Sequence, residues 1–292
     1  MAGNDWMTNI ADATNITHLA IPGTHDSGAY EAGNWVSRPM TYAQTLDIPA
    51  QLNLGVRALD LRCGSNYYGS SFSLYHGPFQ LPDYLPAVIA DINTFLTQNP
   101  TEFVILLLKL EPPGSSDWSE ALNEIVNHGL DGRIFRRLNR ETRWPTVGEM
   151  RGQALILSRF PNPHRFHFDT RGWGNNVVAQ DIDVTSSIQG YPERLHVHIQ
   201  DLYDRPNLTD KVRAITGALD DARRTVAWRR TQTLHVNFTS YVVRFSQPRD
   251  IGRDVMKPRL QQAVAPFHRF YGVNCVDAVD AEQAAMIYGD NF

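Results

Sequence analysis

Apolar, β-branched runs of strand length recur along the whole chain, and they set the first expectation. Eight such runs are read, at 16–22, 57–62, 72–76, 103–110, 153–159, 196–202, 234–240 and 271–277. Between several of them the apolar period lengthens to that of a helix. Residues 85–99 put Leu85, Val88, Ile89, Ile92, Phe95 and Leu96 on one face, and Pro100 follows the end. Residues 117–128, 208–225 and 253–265 also read as helical. The stretch 63–71 is too short for a helix. Residues 160–195, rich in Gly, Asn, Pro and aromatics, read as a long rim loop. No internal repeat or low-complexity segment is evident.

Eight strands with helices interspersed predict an α/β fold. The expected form is a distorted (β/α)8 TIM barrel, one domain over 1–292, irregular because at least one helix is missing. The alternative is an open doubly wound sheet. Against it, no Gly-rich phosphate loop follows the first run, and G-x-x-x-x-G-K-[ST] is absent. G-x-S-x-G is absent too, which removes the commonest serine-hydrolase signal.

Composition acts mainly by exclusion. The 292 residues hold 27 Lys+Arg against 31 Asp+Glu, a net charge of −4, with no basic block. A nucleic-acid partner is therefore not expected. The longest apolar run, Phe103 to Lys109, is too short to span a bilayer. The N-terminal residues show no basic segment followed by an apolar one, so no signal peptide is visible. Cys63 and Cys275 form no metal or redox motif. They lie near the ends of runs two and eight, with run one between, which places them about 9–10 Å apart. That exceeds disulfide reach, and free thiols are expected. Of three Asn-x-Ser/Thr sequons, at Asn15, Asn207 and Asn237, the last falls inside a predicted strand and reads as chance.

The candidate chemistry collects at strand ends. Run one is stopped by Pro22-Gly23 and carries His25 and Asp26 on the turn. Run two delivers Asp60 and Arg62, two apart and so on one side of the strand. Run three delivers His76, run four Lys109 and Glu111, run five Arg159, run six Asp201 and Tyr203, and run eight Asp277. Each has a bland reading alone: a turn cap for Asp26, a structural ion pair for Asp60 and Arg62, a snorkelling edge residue for Lys109. Together they would line one rim of a barrel. Two His with an Arg between suit phosphodiester cleavage. One imidazole takes a proton from an attacking hydroxyl, and another gives one to the leaving oxygen. The guanidinium holds the phosphoryl oxygens in a fork. Carboxylates beside the imidazoles would fix tautomers.

The ordered motifs Ile21-Pro-Gly-Thr-His-Asp-Ser27, Ala58-Leu-Asp-Leu-Arg62 and Leu74-Tyr-His-Gly-Pro78 resemble the X domain of bacterial phosphatidylinositol-specific phospholipase C. Later pieces fit too: Asn99-Pro-Thr-Glu-Phe103 leading to Lys109, then Ser158-Arg159, then Gln200-Asp201-Leu-Tyr203. The resemblance implies cleavage of phosphatidylinositol to diacylglycerol and inositol 1,2-cyclic phosphate. It also implies a secreted monomer in transient contact with a membrane or micelle surface. Carried onto this chain, His25 is the general base, oriented by Asp277. His76 is the general acid, partnered by Asp26. Arg62 binds the phosphate and Asp60 shapes its site. Lys109, Arg159, Asp201 and Tyr203 hold the inositol ring.

No cofactor and no metal are expected, because Arg62 stands where a cation would otherwise be needed, and calcium needs six to eight oxygens. Trp35 and Trp173, with aromatics in 160–180, are expected to approach the lipid interface. Two other readings stay open. One is a phosphodiesterase for soluble glycerophosphodiesters, usually metal-dependent, which Asp60 and Arg62 fit poorly. The other is a barrel that binds inositol phosphates or lipid headgroups without cleaving them. A missing His would favour that last reading, and both His are present.

Overall fold

A computed structural model describes residues 3–31, 41–65, 72–111, 119–135, 143–161, 168–184, 195–242, 246–264 and 269–292. Among these, eleven strands share one sheet. They are β1 (Ala20–Thr24), β2 (Ala58–Ser65), β3 (Phe72–His76), β4 (Phe79–Tyr84), β5 (Val104–Leu110) and β6 (Ala154–Ser158). Then follow β7 (Phe168–Asp169), β8 (Val177–Val184), β9 (Leu195–Asp201), β10 (Thr233–Phe238) and β11 (Gly272–Val276). The lateral order is β7-β6-β5-β2-β1-β11-β10-β9-β8. From β7 to β9 every pairing is parallel, while β8 joins β9 antiparallel. The result is the nearly closed, barrel-shaped sheet expected, with helices outside.

Its membership differs from the expectation in two places. The run 72–76 is not a barrel strand. It pairs antiparallel with β2 and forms a hairpin with β4. The reason lies in the short link: a parallel return needs a crossover of a dozen or more residues, and 66–71 cannot supply one. The second correction concerns 160–195, read as a rim loop. It holds β7, which joins the parallel set beside β6, and β8. Two residues of β7 are too few to show a period. The first run also starts later than expected, because Asn15 caps a short helical turn over Ile16–His18. Helices Leu85–Gln98, Ser119–Gly129 and Leu208–Ala227 fall where predicted. The predicted 253–265 helix is Lys257–Val264, preceded by a wider π turn. Helices Ile48–Leu54, Val147–Met150 and Ala281–Tyr288 span at most two turns and were not predicted.

Strand alternation sorts the core into two sets. Ile21, Ala58, Ile105, Leu107, Leu155, Leu157, Val197, Ile199, Val236, Phe238, Val273 and Cys275 fill the barrel interior. Their neighbours Leu59, Leu61, Cys63, Leu106, Leu108, Ile156 and Val276 pack outward under the helices. The cysteines therefore lie on opposite faces of the sheet, and both are buried free thiols. Gly23 belongs to the inner set, where a side chain has little room. A Cβ there would stand 2.9 Å from Cys275 Sγ and 3.2 Å from the Ala58 Cβ. Gly23→Ala is expected to destabilise by about 1–3 kcal/mol through overpacking, read as a lower urea midpoint with an unchanged m-value.

At the N-terminal end of the barrel, Arg57 and Glu102 form a fully buried ion pair at 2.8 Å. The rest of the fork reaches the carbonyls of Leu52 and Val56 (2.8 Å each) and of Gly3 (3.0 Å). All three nitrogens of the guanidinium are thus engaged, as burial of a charge requires. This end is a structural floor, and the chemistry-bearing residues stand at the other end.

Candidate active site

Following the inner parity to the strand C-termini yields His25, Asp60 and Arg62, Lys109, Arg159, Asp201 and Asp277. This is why charged groups end so many strands: the alternation that fills the barrel with apolar side chains puts the next inward residue at its mouth.

The turn after β1 does the finer positioning. His25 N–H donates to the Val276 carbonyl at 3.0 Å, prolonging the β1–β11 ladder by one bond. Asp26 then takes φ 44°, a left-handed conformation that Asp tolerates better than most residues. Its N–H donates to Asp60 Oδ2 at 3.0 Å, and the Ser27 N–H donates to the Asp60 carbonyl at 2.9 Å. The Thr24 and Ser27 hydroxyls lie 2.7 Å apart, and Thr24 Oγ1 also donates to Gln51 Oε1 at 2.8 Å. The reversal sends the side chains of two sequence neighbours to different partners.

His25 Nδ1 lies 2.8 Å from Asp277 Oδ1, with the Phe238 ring edge-on at a centroid distance of 5.9 Å. Burial opposes protonation of His25, as does Arg62, but the Asp277 carboxylate outweighs them and the pKa is raised. His76 arrives on the hairpin rather than on a barrel strand, with Nε2 3.5 Å from Asp26 Oδ2. Burial, then Arg62 and His25, push His76 down to about 3. Burial pushes Asp26 up to about 7 against the pull of Arg62. The two shifts run in opposite directions and favour a proton on Asp26 over one on His76. Arg62 donates from Nε and Nη2 to Asp60 Oδ2 at 3.2 and 3.1 Å, and its Nη1 is 3.6 Å from Asp26 Oδ2. Burial would raise the Asp60 pKa, but Arg62, His25 and the Asp26 N–H lower it overall.

The other predicted residues surround this centre. Lys109 is the register partner of Arg62 and pairs with Glu111 two residues on. The Arg159 guanidinium lies over the Trp173 ring at 4.6 Å. Asp201 is buried, and burial raises its pKa although Arg62, His25 and Arg159 oppose. Tyr203 is part-exposed and held by its N–H, which donates to Asn176 Oδ1 at 2.9 Å. All ten predicted residues thus share one mouth. Buried atoms within it, among them Asp26 Oδ2, His76 Nδ1, Asp277 Oδ2 and Trp173 Nε1, have no hydrogen-bond partner among the described residues.

One expectation fails here. Trp173 does not face outward. It is 6% exposed, lies under Arg159 and packs against Phe238 at 5.8 Å, so it serves as a platform inside the mouth. Trp35 lies outside the described residues. Two residues carry parts that the sequence reading did not assign. Glu111 neutralises Lys109. Lys211, fully buried, donates to the carbonyls of Leu202 (2.8 Å) and Phe238 (2.7 Å) and to Gln200 Oε1 (3.2 Å). Burial lowers its pKa to about 7. Its signal was available: Lys211 sits on the apolar stripe of its helix with Ala214, Ile215, Ala218 and Leu219.

Fold and site together define an α/β-barrel protein with two imidazole–carboxylate pairs around the Arg62 guanidinium at the barrel mouth. Residues 19–160 match the family model described as "Phosphatidylinositol-specific phospholipase C, X domain". The chain is 29% identical over 213 residues to a 1-phosphatidylinositol phosphodiesterase of Listeria monocytogenes, covering 72% of this chain and 61% of that protein. It is 24% identical over 230 residues to the protein of the same name from Staphylococcus aureus strain Newman, covering 75% of this chain and 70% of that one. In structure it matches the phosphatidylinositol-specific phospholipase C of Listeria monocytogenes with a TM-score of 0.78 and 23% identity, over 100% of each chain.

Proposed function

We propose that this protein cleaves phosphatidylinositol to diacylglycerol and inositol 1,2-cyclic phosphate without a metal. The observation that carries this reading is the pairing of both imidazoles with separate carboxylates around Arg62. His25, with Nδ1 engaged by Asp277, presents Nε2 as a base to the inositol 2-hydroxyl. That oxygen attacks the phosphorus of the 1-phosphate, and the bond to the diacylglycerol oxygen breaks. The nucleophile is intramolecular, so its effective concentration is high. Arg62 balances the charge on the phosphoryl oxygens. The proton kept by Asp26 and His76 passes to the leaving diacylglycerol oxygen, and the anionic phosphodiester itself draws that proton onto His76. Metal independence is favoured because the Asp60 and Asp26 carboxylates are engaged by Arg62. Lys109, Arg159, Asp201 and Tyr203 supply hydrogen-bonding groups for the inositol hydroxyls, and the lipid enters from a membrane or micelle surface facing the mouth. Following the reaction by ³¹P NMR in chelator tests the reading. A five-membered cyclic phosphate is expected as first product. A linear monoester formed first, or activity only after metal is added, overturns it.

The pH dependence follows from the two pairs. The base must be neutral, and its pKa is raised above 6.5, so kcat/KM falls as pH drops through that raised value. The acid must hold its proton, which the Asp26–His76 pair loses as pH rises through about 7. A narrow bell near neutrality is expected. Asp277→Asn is expected to move the acidic limb to lower pH while reducing kcat, because the carboxylate that raises His25 is gone. A limb that stays in place contradicts the assignment.

A further inference from the structure

His25 and Asp277 come from segments 252 residues apart and meet only because β1 and β11 are neighbours. The last ladder bond between these strands is the one from His25 N–H to the Val276 carbonyl. Beyond it no ladder bond joins β1 to β11, yet the side chains of His25 and Asp277 both hang from this point. One fully buried side chain spans the junction. Gln44 Nε2 donates to the His25 carbonyl at 2.7 Å and to the Val276 carbonyl at 2.9 Å. Its Oε1 accepts from the Val279 N–H at 3.2 Å. Both side-chain donors of the amide are thus used on the backbone of the base and of the residue before its carboxylate partner.

The clamp is itself held in place. Gln44 N–H and Ala43 N–H both donate to the Ala29 carbonyl, at 3.0 and 2.8 Å, and the Ala43 carbonyl accepts from Ala278 N–H at 2.8 Å. Ala278 has φ 50°, so the chain turns sharply straight after Asp277. Gly252 closes the other side, where a Cβ would stand 2.5 Å from the Asp277 Cβ.

We propose that Gln44 is a positioning residue for catalysis: its amide replaces the missing ladder bonds at the ends of β1 and β11 and so fixes the His25 imidazole against Asp277. The proposal deepens the function given above and rests on His25 being the base. Loss of the amide leaves the His25 carbonyl without its donor and the Val276 carbonyl with the His25 N–H alone, and frees the relative position of the two segments. A shift of about 1 Å at such a contact costs on the order of 10²-fold in rate.

Gln44→Met keeps the length and removes both donors, and Gln44→Glu keeps the shape and sets oxygen against the carbonyls. In both, kcat is expected to fall about 10- to 100-fold with KM nearly unchanged. The His25 titration, followed by NMR of the labelled imidazole, is expected to move to lower pH as Asp277 loosens. Asp26 also favours protonated His25 and Arg62 opposes it, so both are kept intact in the variants. In an Asp277→Asn background the further loss on Gln44→Met is expected to shrink to less than about threefold, since coupled residues are not additive. A folded Gln44→Met protein with an unmoved His25 titration, or the same loss in both backgrounds, overturns the proposal. If the variants do not fold, the unsubstituted protein decides: its Gln44 side-chain N–H resonances are expected to shift with the His25 titration step, and resonances indifferent to it overturn the proposal. The titration is read without turnover. A protein that fails to cleave phosphatidylinositol but shows the moved titration contradicts the function and leaves the positioning role standing.

Discussion

His25→Ala is expected to lower phosphatidylinositol cleavage by about 10²- to 10⁴-fold with the fold retained. The imidazole lies at the barrel mouth and is 9% exposed, so its removal opens no large interior cavity. It does leave the buried Asp277 carboxylate without its imidazole partner. His76→Ala is expected to fall in the same range, and the two losses combine less than multiplicatively because both groups act in one transition state. Leaving-group chemistry separates them. An inositol phosphodiester with an aryloxy leaving group needs no proton on the departing oxygen. It is expected to restore much of the rate of His76→Ala and little of the rate of His25→Ala. Rescue of His25→Ala instead would exchange the two roles, and wild-type turnover in either variant would remove them.

Arg62→Met is the second large effect, with an expected loss of about 10³- to 10⁵-fold, the range that an arginine at a transferring phosphoryl group supplies. Arg62 is a part-buried cation held by Asp60 at 3.1 Å and Asp26 at 3.6 Å. That cradle fixes the direction of the fork before substrate arrives. Arg62→Lys keeps the charge and loses the planar fork, and a loss intermediate between wild type and Arg62→Met is expected. The substitution to Met also has an electrostatic signature. Arg62 lowers the proton affinity of both His25 and His76, so both are expected to titrate at higher pH without it. The acidic limb of kcat/KM then moves upward, as protonated His25 persists further. Near-normal kcat in Arg62→Met, measured where the variant is folded, would take the phosphate away from this residue.

Much of the site was legible because strand periodicity is a local property. Once the runs ending at Arg62, Lys109, Arg159 and Asp201 are taken as strands, alternation alone puts these side chains on the face that becomes the mouth. The helices Leu85–Gln98 and Leu208–Ala227 declared themselves through long apolar stripes. The hairpin did not. Phe72–His76 has the composition of a barrel strand, and only the direction in which its backbone pairs distinguishes an antiparallel arm from a parallel member. Trp173 was misplaced for a related reason, since an aromatic residue suits both a lipid boundary and a buried platform, and the neighbours Arg159 and Phe238 decide which it meets. Gln44 carried no signal at all, because its partners are main-chain carbonyls and an N–H, which every sequence offers everywhere.

The chain by itself determined which residues could do chemistry and that they stand at strand ends, since residue type and a period of two need no tertiary contact. The tertiary structure decided how they pair. Asp26 turns through a left-handed conformation, so adjacent residues face His76 and Asp277 separately. Barrel neighbours bring Asp277 from the far end of the chain to His25. Proton affinities were decided there as well. Desolvation and nearby charge are properties of the folded mouth, and they raise Asp26 and lower His76.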